Sequence, residues 1–328
     1  MADPVNGVLD GLVHRADLDA LVRHVDDTCS ARDWEHLVRV RDVTRAAVDT
    51  GRQLWPIATL ANYRLALWAP AEFAVRALDD TARTFMPGPV SEIIAVQHRW
   101  EDLEPHLPPG HDRSLVAHER AIRGDDTDPH EHSVLDLPME VQPWEPRYEP
   151  AGYSDDGVDS PAPDLPQPSA GITSTAGRNV DDPETVAAFR TLVEPWTSQS
   201  NGTARCAVAE GGFAEALHAH GADNARIAEI DLREALAVLA WAGASGGAHG
   251  KRRGLATGRS NAWWFVATFA GLQDDWPCDP DELGAVLNHL RCAVWSTSAS
   301  PAVGWNVRLL LEDADEGLCC ALSAHDHT

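Results

Sequence analysis

Lysine is almost missing from this chain: Lys251 is the only one among 328 residues, so nearly every cation is an arginine. Cations of either kind are scarce, 26 against 51 acids, for a net charge of −25. A surface of that sign repels nucleic acid and anionic lipid, which excludes general DNA, RNA or membrane-surface binding. No run of about 18 apolar residues occurs, and the start MADPVNGVLDG has neither the basic nor the apolar region of a signal peptide. A soluble, cytoplasmic protein is expected. The six cysteines (Cys29, Cys206, Cys278, Cys292, Cys319, Cys320) show no C-x-x-C spacing, and a chain of this length needs no disulfide staples. Reduced thiols follow.

What is present divides into three parts. Residues 1–124 read as amphipathic helices: Leu18, Leu21, Val22 and Val25 form one apolar stripe, and Leu54, Ile57, Ala58, Ala61 and Leu65 another. Ser30 and Asp33 ahead of Trp34 have the form of a helix cap, and Pro70 marks the next start. Short connections then give a bundle or short solenoid. Residues 125–185 hold ten of the 22 prolines and fifteen acids, with only Arg147 and Arg178 as cations. That composition reads as an acidic linker. Its apolar half, LDLPMEVQPWEPRYEPAGY, is expected to dock on a domain surface, and the part after Ser154 to be disordered. From 186 to 328 the pattern mixes strands (204–211, 224–231, 304–313) with helices, Asp231 capping one and Asp279-Pro280 opening another, ELGAVLNHLRCAVW. The fold class expected is α+β, predominantly α: a helical N-terminal array followed by a small α+β domain.

The stretch GASGGAHGKRRGLATGRSNAWW, residues 243–264, is the most unusual one. A P-loop ending at Gly250-Lys251 needs glycine at 245 and a hydroxyl at 252. The chain has Ser245 and Arg252, which removes the magnesium-binding hydroxyl and with it that nucleotide chemistry. Gly243-Ala244-Ser245-Gly246-Gly247 does match the G-x-S-x-G elbow of serine hydrolases, with Asp281 or Asp313 and His325 downstream to complete a triad. Its context is helical rather than strand-turn-helix, so a hydrolase centred on Ser245 is the alternative and not the leading reading. Gly246, Gly250, Gly254 and Gly258, continued by Ala262, Val266 and Ala270, recur every four residues, a ridge suited to close helix packing.

Packing leaves the charges unexplained. No acid stands between Glu234 and Asp274, while Lys251, Arg252, Arg253 and Arg259 concentrate there. These four are the candidate site, a cationic face for a small anionic ligand or a protein partner. A clamp on the chain's own acidic linker is the competing reading. Other candidates carry less. His106, His111 and His118 with His130 and His132 lack the Cys or His-x-x-x-His spacing of a zinc site, so no metal or cofactor is expected. Cys319-Cys320 in GLCCALSA reads as buried helix, and the twelve tryptophans as core anchors.

The runs GRQLWPIATLANYRLALWAP, HRWEDLEPHLPPG, LVAHERAIRGDD, PWEPRYEPAGY and ASGGAHGKRRGLATGR resemble a widespread, uncharacterised family of high-GC bacterial proteins. That resemblance spans most of the chain and implies no activity and no catalytic residues. The function expected is therefore a non-enzymatic binding or regulatory protein, able to neutralise a basic partner in the way inhibitors and immunity proteins do.

Overall fold

A computed structural model describes residues 4–79, 85–127, 133–298 and 304–327. The chain forms two compact units, one of residues 1–120 with 152–159 and one of 121–151 with 160–328. The fold is α+β and predominantly α.

The first unit is helical: α1 (Pro4–Arg15), α2 (Leu18–Ser30), α3 (Trp34–Asp49), α4 (Trp55–Trp68), α5 (Ala71–Ala74), α6 (Val90–Gln97), α7 (Trp100–Leu103) and most of α8 (His111–Ile122), with the hairpin β1 (Gly152–Ser154) and β2 (Gly157–Asp159). Asp33 caps α3 by accepting from the His36 N–H, which satisfies a helix-terminal donor. Of the first stripe, Leu21 and Val25 are fully buried while Leu18 and Val22 stay exposed. Tyr153 of β1 buries its ring and donates to the Glu92 carboxylate of α6, so the hairpin is built into the helical core.

The second unit is one antiparallel sheet in the order β3-β6-β7-β8-β9-β5-β4, where β3 is Ala170–Ile172, β4 Asn179–Val180, β5 Thr203–Glu210, β6 Ala225–Ile230, β7 Leu290–Ser296, β8 Trp305–Asp313 and β9 Leu318–Asp326. Its inner face packs on α9 (Pro183–Leu192), α12 (Leu232–Ala244), α13 (Leu255–Phe269) and α14 (Pro280–Leu287). The short α10 (Glu194–Ser198) contributes Trp196 to the same core. On the outer face α11 (Phe213–His220) covers only part of the sheet, through Phe213, Ala216 and Leu217.

Four expectations are corrected. The helix opened by Asp279 ends at Leu287, and Leu290–Ser296 is β7: Leu290, Cys292 and Val294 alternate inward, which a strand can bury and a helix cannot place on one face. Cys319 and Cys320 lie on β9, not on a helix, and point to opposite cores because both faces of that central strand are covered there. The glycine ridge is mostly loop. Gly254 has φ of +89° and precedes α13, so the helix begins only at Leu255, and Gly246 and Gly250 precede it. The segment read as linker supplies β1 to β4 and the buried residues Leu137, Met139, Trp144, Tyr148 and Tyr153.

Gly258, inside α13, is the glycine of that ridge that meets α12. A β-carbon there would run into the Ala240 carbonyl and lie 2.8 Å from the Ala244 Cβ, both on α12. These neighbours are mostly backbone and cannot turn aside. Gly258→Val is expected to cost about 1–3 kcal/mol in a urea melt, more than any helix-propensity gain returns. A neutral result would mean that α12 and α13 are not in backbone contact at Gly258.

Candidate functional site

The four predicted cations do not converge on a common opening. Arg259 is fully buried on α13 and forms an ion pair with the equally buried Glu145 at 2.7 Å. Its remaining donors reach the carbonyls of Pro138, Met139 and Glu140. Glu145 also accepts from the Tyr148 hydroxyl, the Trp263 indole and the Gln142 N–H. Burial works to raise the Glu145 carboxyl, but the hydrogen bonds and charge of Arg259 outweigh it and hold it below the usual range. Arg253 donates to the carbonyls of Gly243, Thr191 and Leu192, at the C-terminal ends of α12 and α9, where helices leave acceptors unsatisfied. Arg252 donates to the Ser160 hydroxyl, and Lys251 is exposed with its backbone N–H on Gln199.

Ser245 closes α12 and is 1% exposed. Its hydroxyl accepts from the Trp196 indole at 3.0 Å and donates to the Ala242 carbonyl, and no imidazole among the described residues bonds to it. The elbow reading fails there, because an elbow needs a strand before the serine and an open face above it. The loop that follows is held by the buried Asp326, which accepts from the Ala248 N–H and the Ser200 hydroxyl. His111 is exposed while His118 is buried on the same helix, and His130 and His132 lie outside the described residues. Among the described residues no group of three or more His, Cys, Asp or Glu is placed to hold a metal. Burial pushes the Cys319 and Cys320 thiols well up, so they are poor nucleophiles.

The polar concavity of interest lies elsewhere, on the outer face of the sheet where α11 stops. Strand pairing sets Ser323 of β9 directly opposite Arg205 of β5 on one side and Arg308 of β8 on the other. Side chains opposite one another share a face, so the serine stands between two arginines whose Cα atoms are about 10 Å apart. The next row repeats the arrangement with Thr203, His325 and Asn306. All of these residues except Asn306 line a cavity of about 540 Å³, together with Trp295 and His220.

Each member is held. The Trp295 indole donates to the Leu322 carbonyl, which fixes its ring, and the Arg308 guanidinium sits 5.8 Å from that ring's centre. Arg308 and His325 both donate to the Asn306 side-chain carbonyl, at 3.3 and 3.0 Å. Arg205 donates to the Ala219 carbonyl near the end of α11. Among the described residues neither arginine has a carboxylate partner, and burial alone pulls Arg308 below its ordinary value. The one acid of the lining, Asp223, accepts from Ser174. His220 ends α11, packs edge-on to Trp295, and lies 2.9 Å from the Ser323 hydroxyl through Nε2. Burial, with the charges of Arg205 and Arg308, pushes its imidazole down to about 4 against a backbone hydrogen bond at Arg205 that favours the protonated ring. It is neutral at pH 7. His325 is lowered as well, first by burial and then by His327 and Arg308.

The sequence hides this site because GLCCALSA reads as a helix, which gives Ser323 no reason to share a face with His325. As a strand, its alternation puts Ser323 and His325 on one face, and the same alternation in WNVRLLLED exposes Asn306 and Arg308 opposite them. An arginine inside the apolar run of β8 was the available signal.

The model of a family of unknown function, DUF6183, matches residues 19–327. No curated protein and no solved structure matches the chain.

Proposed function

We propose for this chain, which belongs to the DUF6183 family of unknown function, that it binds a small phosphate- or carboxylate-bearing ligand over the Arg205–Ser323–Arg308 row. The observation that carries this reading is the pairing itself: two arginines flank one serine with no carboxylate between them, in a chain of net charge −25. Two like charges on one half-covered face repel, and an anion between them turns that repulsion into attraction. The indole of Trp295 offers a flat apolar wall, and the cavity of about 540 Å³ has room for a small organic molecule.

The same proposal gives the cations at 252, 253 and 259 an internal role. Arg259 clamps the 138–145 segment on α13, Arg253 caps two helix ends, and Arg252 bonds to Ser160, so the competing clamp reading suits their placement better than a ligand face.

Phosphate, pyrophosphate and citrate are expected to raise the melting temperature at pH 7 in a concentration-dependent way, by about 2.7 kcal/mol of stabilisation at a hundredfold excess over Kd. Arg205→Ala with Arg308→Ala should abolish the shift, and Lys251→Ala with Arg252→Ala should leave it intact. No shift with any of the three anions, or a shift that survives the first double substitution, rules the site out.

A further inference from the structure

We propose that Ser323 is a nucleophile and His220 its general base, so that the anion bound between the arginines is the substrate of an ester hydrolysis. This inference rests on the anion-binding reading above and adds a reaction to it. Three observations converge. The Ser323 hydroxyl and His220 Nε2 are 2.9 Å apart, the distance of a nucleophile from its base. The imidazole packs edge-on against the Trp295 ring, 5.0 Å between centroids, which holds its orientation toward the serine. The two guanidinium groups stand on either side of the serine, one for the substrate's own negative charge and one for the charge that develops on the carbonyl oxygen. On a β-strand the backbone N–H groups are spent in the ladder, so side-chain donors must do that work here.

The chemistry balances with water as the second reactant. Ser323 Oγ attacks the ester carbonyl carbon and its proton passes to His220 Nε2. The carbon–oxygen bond to the alcohol breaks, and His220 returns the proton to the leaving oxygen. Water, deprotonated by His220, then attacks the acyl-serine carbonyl; the Ser323 Oγ–carbon bond breaks, and the proton goes back to Oγ with release of the acid. The substrate class is a carboxylic ester carrying an anionic group within about 10 Å of the scissile carbonyl, the span of the arginine pair.

A fluorophosphonate probe on the full-length protein reads the nucleophile, with p-nitrophenyl succinate and neutral p-nitrophenyl acetate as paired substrates. Labelling should map to Ser323, vanish in Ser323→Ala, fall about 100-fold in His220→Gln, and persist in Ser245→Ala. The succinate ester should be hydrolysed at least about tenfold faster than the acetate, a preference that Arg205→Ala removes. Ser323→Ala is nearly isosteric and should keep the wild-type circular dichroism spectrum and a cooperative urea melt, which shows that it is folded. A folded wild-type protein that shows the phosphate shift but no labelling, or labels elsewhere, overturns the nucleophile and leaves the anion site standing. Labelling of Ser323 without a shift supports the nucleophile and overturns the anion reading. Absence of both overturns both.

Discussion

Glu145→Ala lowers the unfolding free energy by about 3–5 kcal/mol, the largest effect expected of any single substitution here. The cost comes from what remains. Arg259 is fully buried, and without Glu145 its charge keeps the carbonyls of residues 138–140 and the Trp263 ring but has no counter-ion among the described residues. The Tyr148 hydroxyl and the Trp263 indole lose their acceptor as well, and each buried donor left unpaired adds its own penalty. The partner change Arg259→Ala should be similarly severe, because it leaves a buried carboxylate. Replacing both together, Glu145→Leu with Arg259→Met, removes the need for pairing and should recover much of the loss. Urea melts of the three variants check this. If the double variant is as unstable as the sum of the singles, the buried pair is not what holds the 138–145 segment to α13.

Between pH 4 and 6.5 the stability rises by about 3 kcal/mol through His220 alone. In the unfolded chain the imidazole takes its proton at the ordinary value of 6.5, whereas in the folded chain it stays neutral until about 4. Across that window the unfolded state holds more protons, so stability increases with pH. The contribution is complete above pH 6.5 and is lost as the pH falls toward 4. His98 and His24 are lowered by burial too and slope the same way, so the test is a difference: wild type against His220→Gln, melted at pH 4.5 and 7.5. The gap between the two proteins should narrow at the lower pH. Saturating phosphate should flatten the wild-type profile, since an anion beside the ring raises its pKa again. Profiles that stay parallel would show that His220 is not held neutral.

Local chemistry made much of the fold legible. Asp33, Asp231 and Asp279 cap the helices they precede, each accepting N–H groups of the first turn. The strands at 203–210, 225–230 and 305–313 lie within a residue of where their alternation puts them. Non-local facts were hidden. Nothing about Arg259 in isolation says that its counter-ion is Glu145, over a hundred residues earlier, and a run of cations in an acidic chain invites a ligand on the outside. Ser245 carried a motif without the strand that gives the motif its meaning. Ser323 carried no motif, and became visible only when pairing set it between Arg205 and Arg308.

The position of β9 in the sheet governs how the second unit is assembled. It comes after every other strand in the chain, yet it lies between β8 and β5. Until it docks, β6, β7 and β8 can form a meander of neighbours, while β5 and β4 have no bond to them. Thr203 must then find His325, a search over a long loop that is slow compared with closing a hairpin. The polar row exists only once that search succeeds, because β9 brings Ser323 and its pairing aligns the two arginines. Folding of the sheet and creation of its polar pocket are thus one cooperative event. A nascent chain holds no half-formed version of that pocket, and it leaves one edge of β8 unpaired for as long as β9 is absent, the interval in which a chaperone would have most to protect.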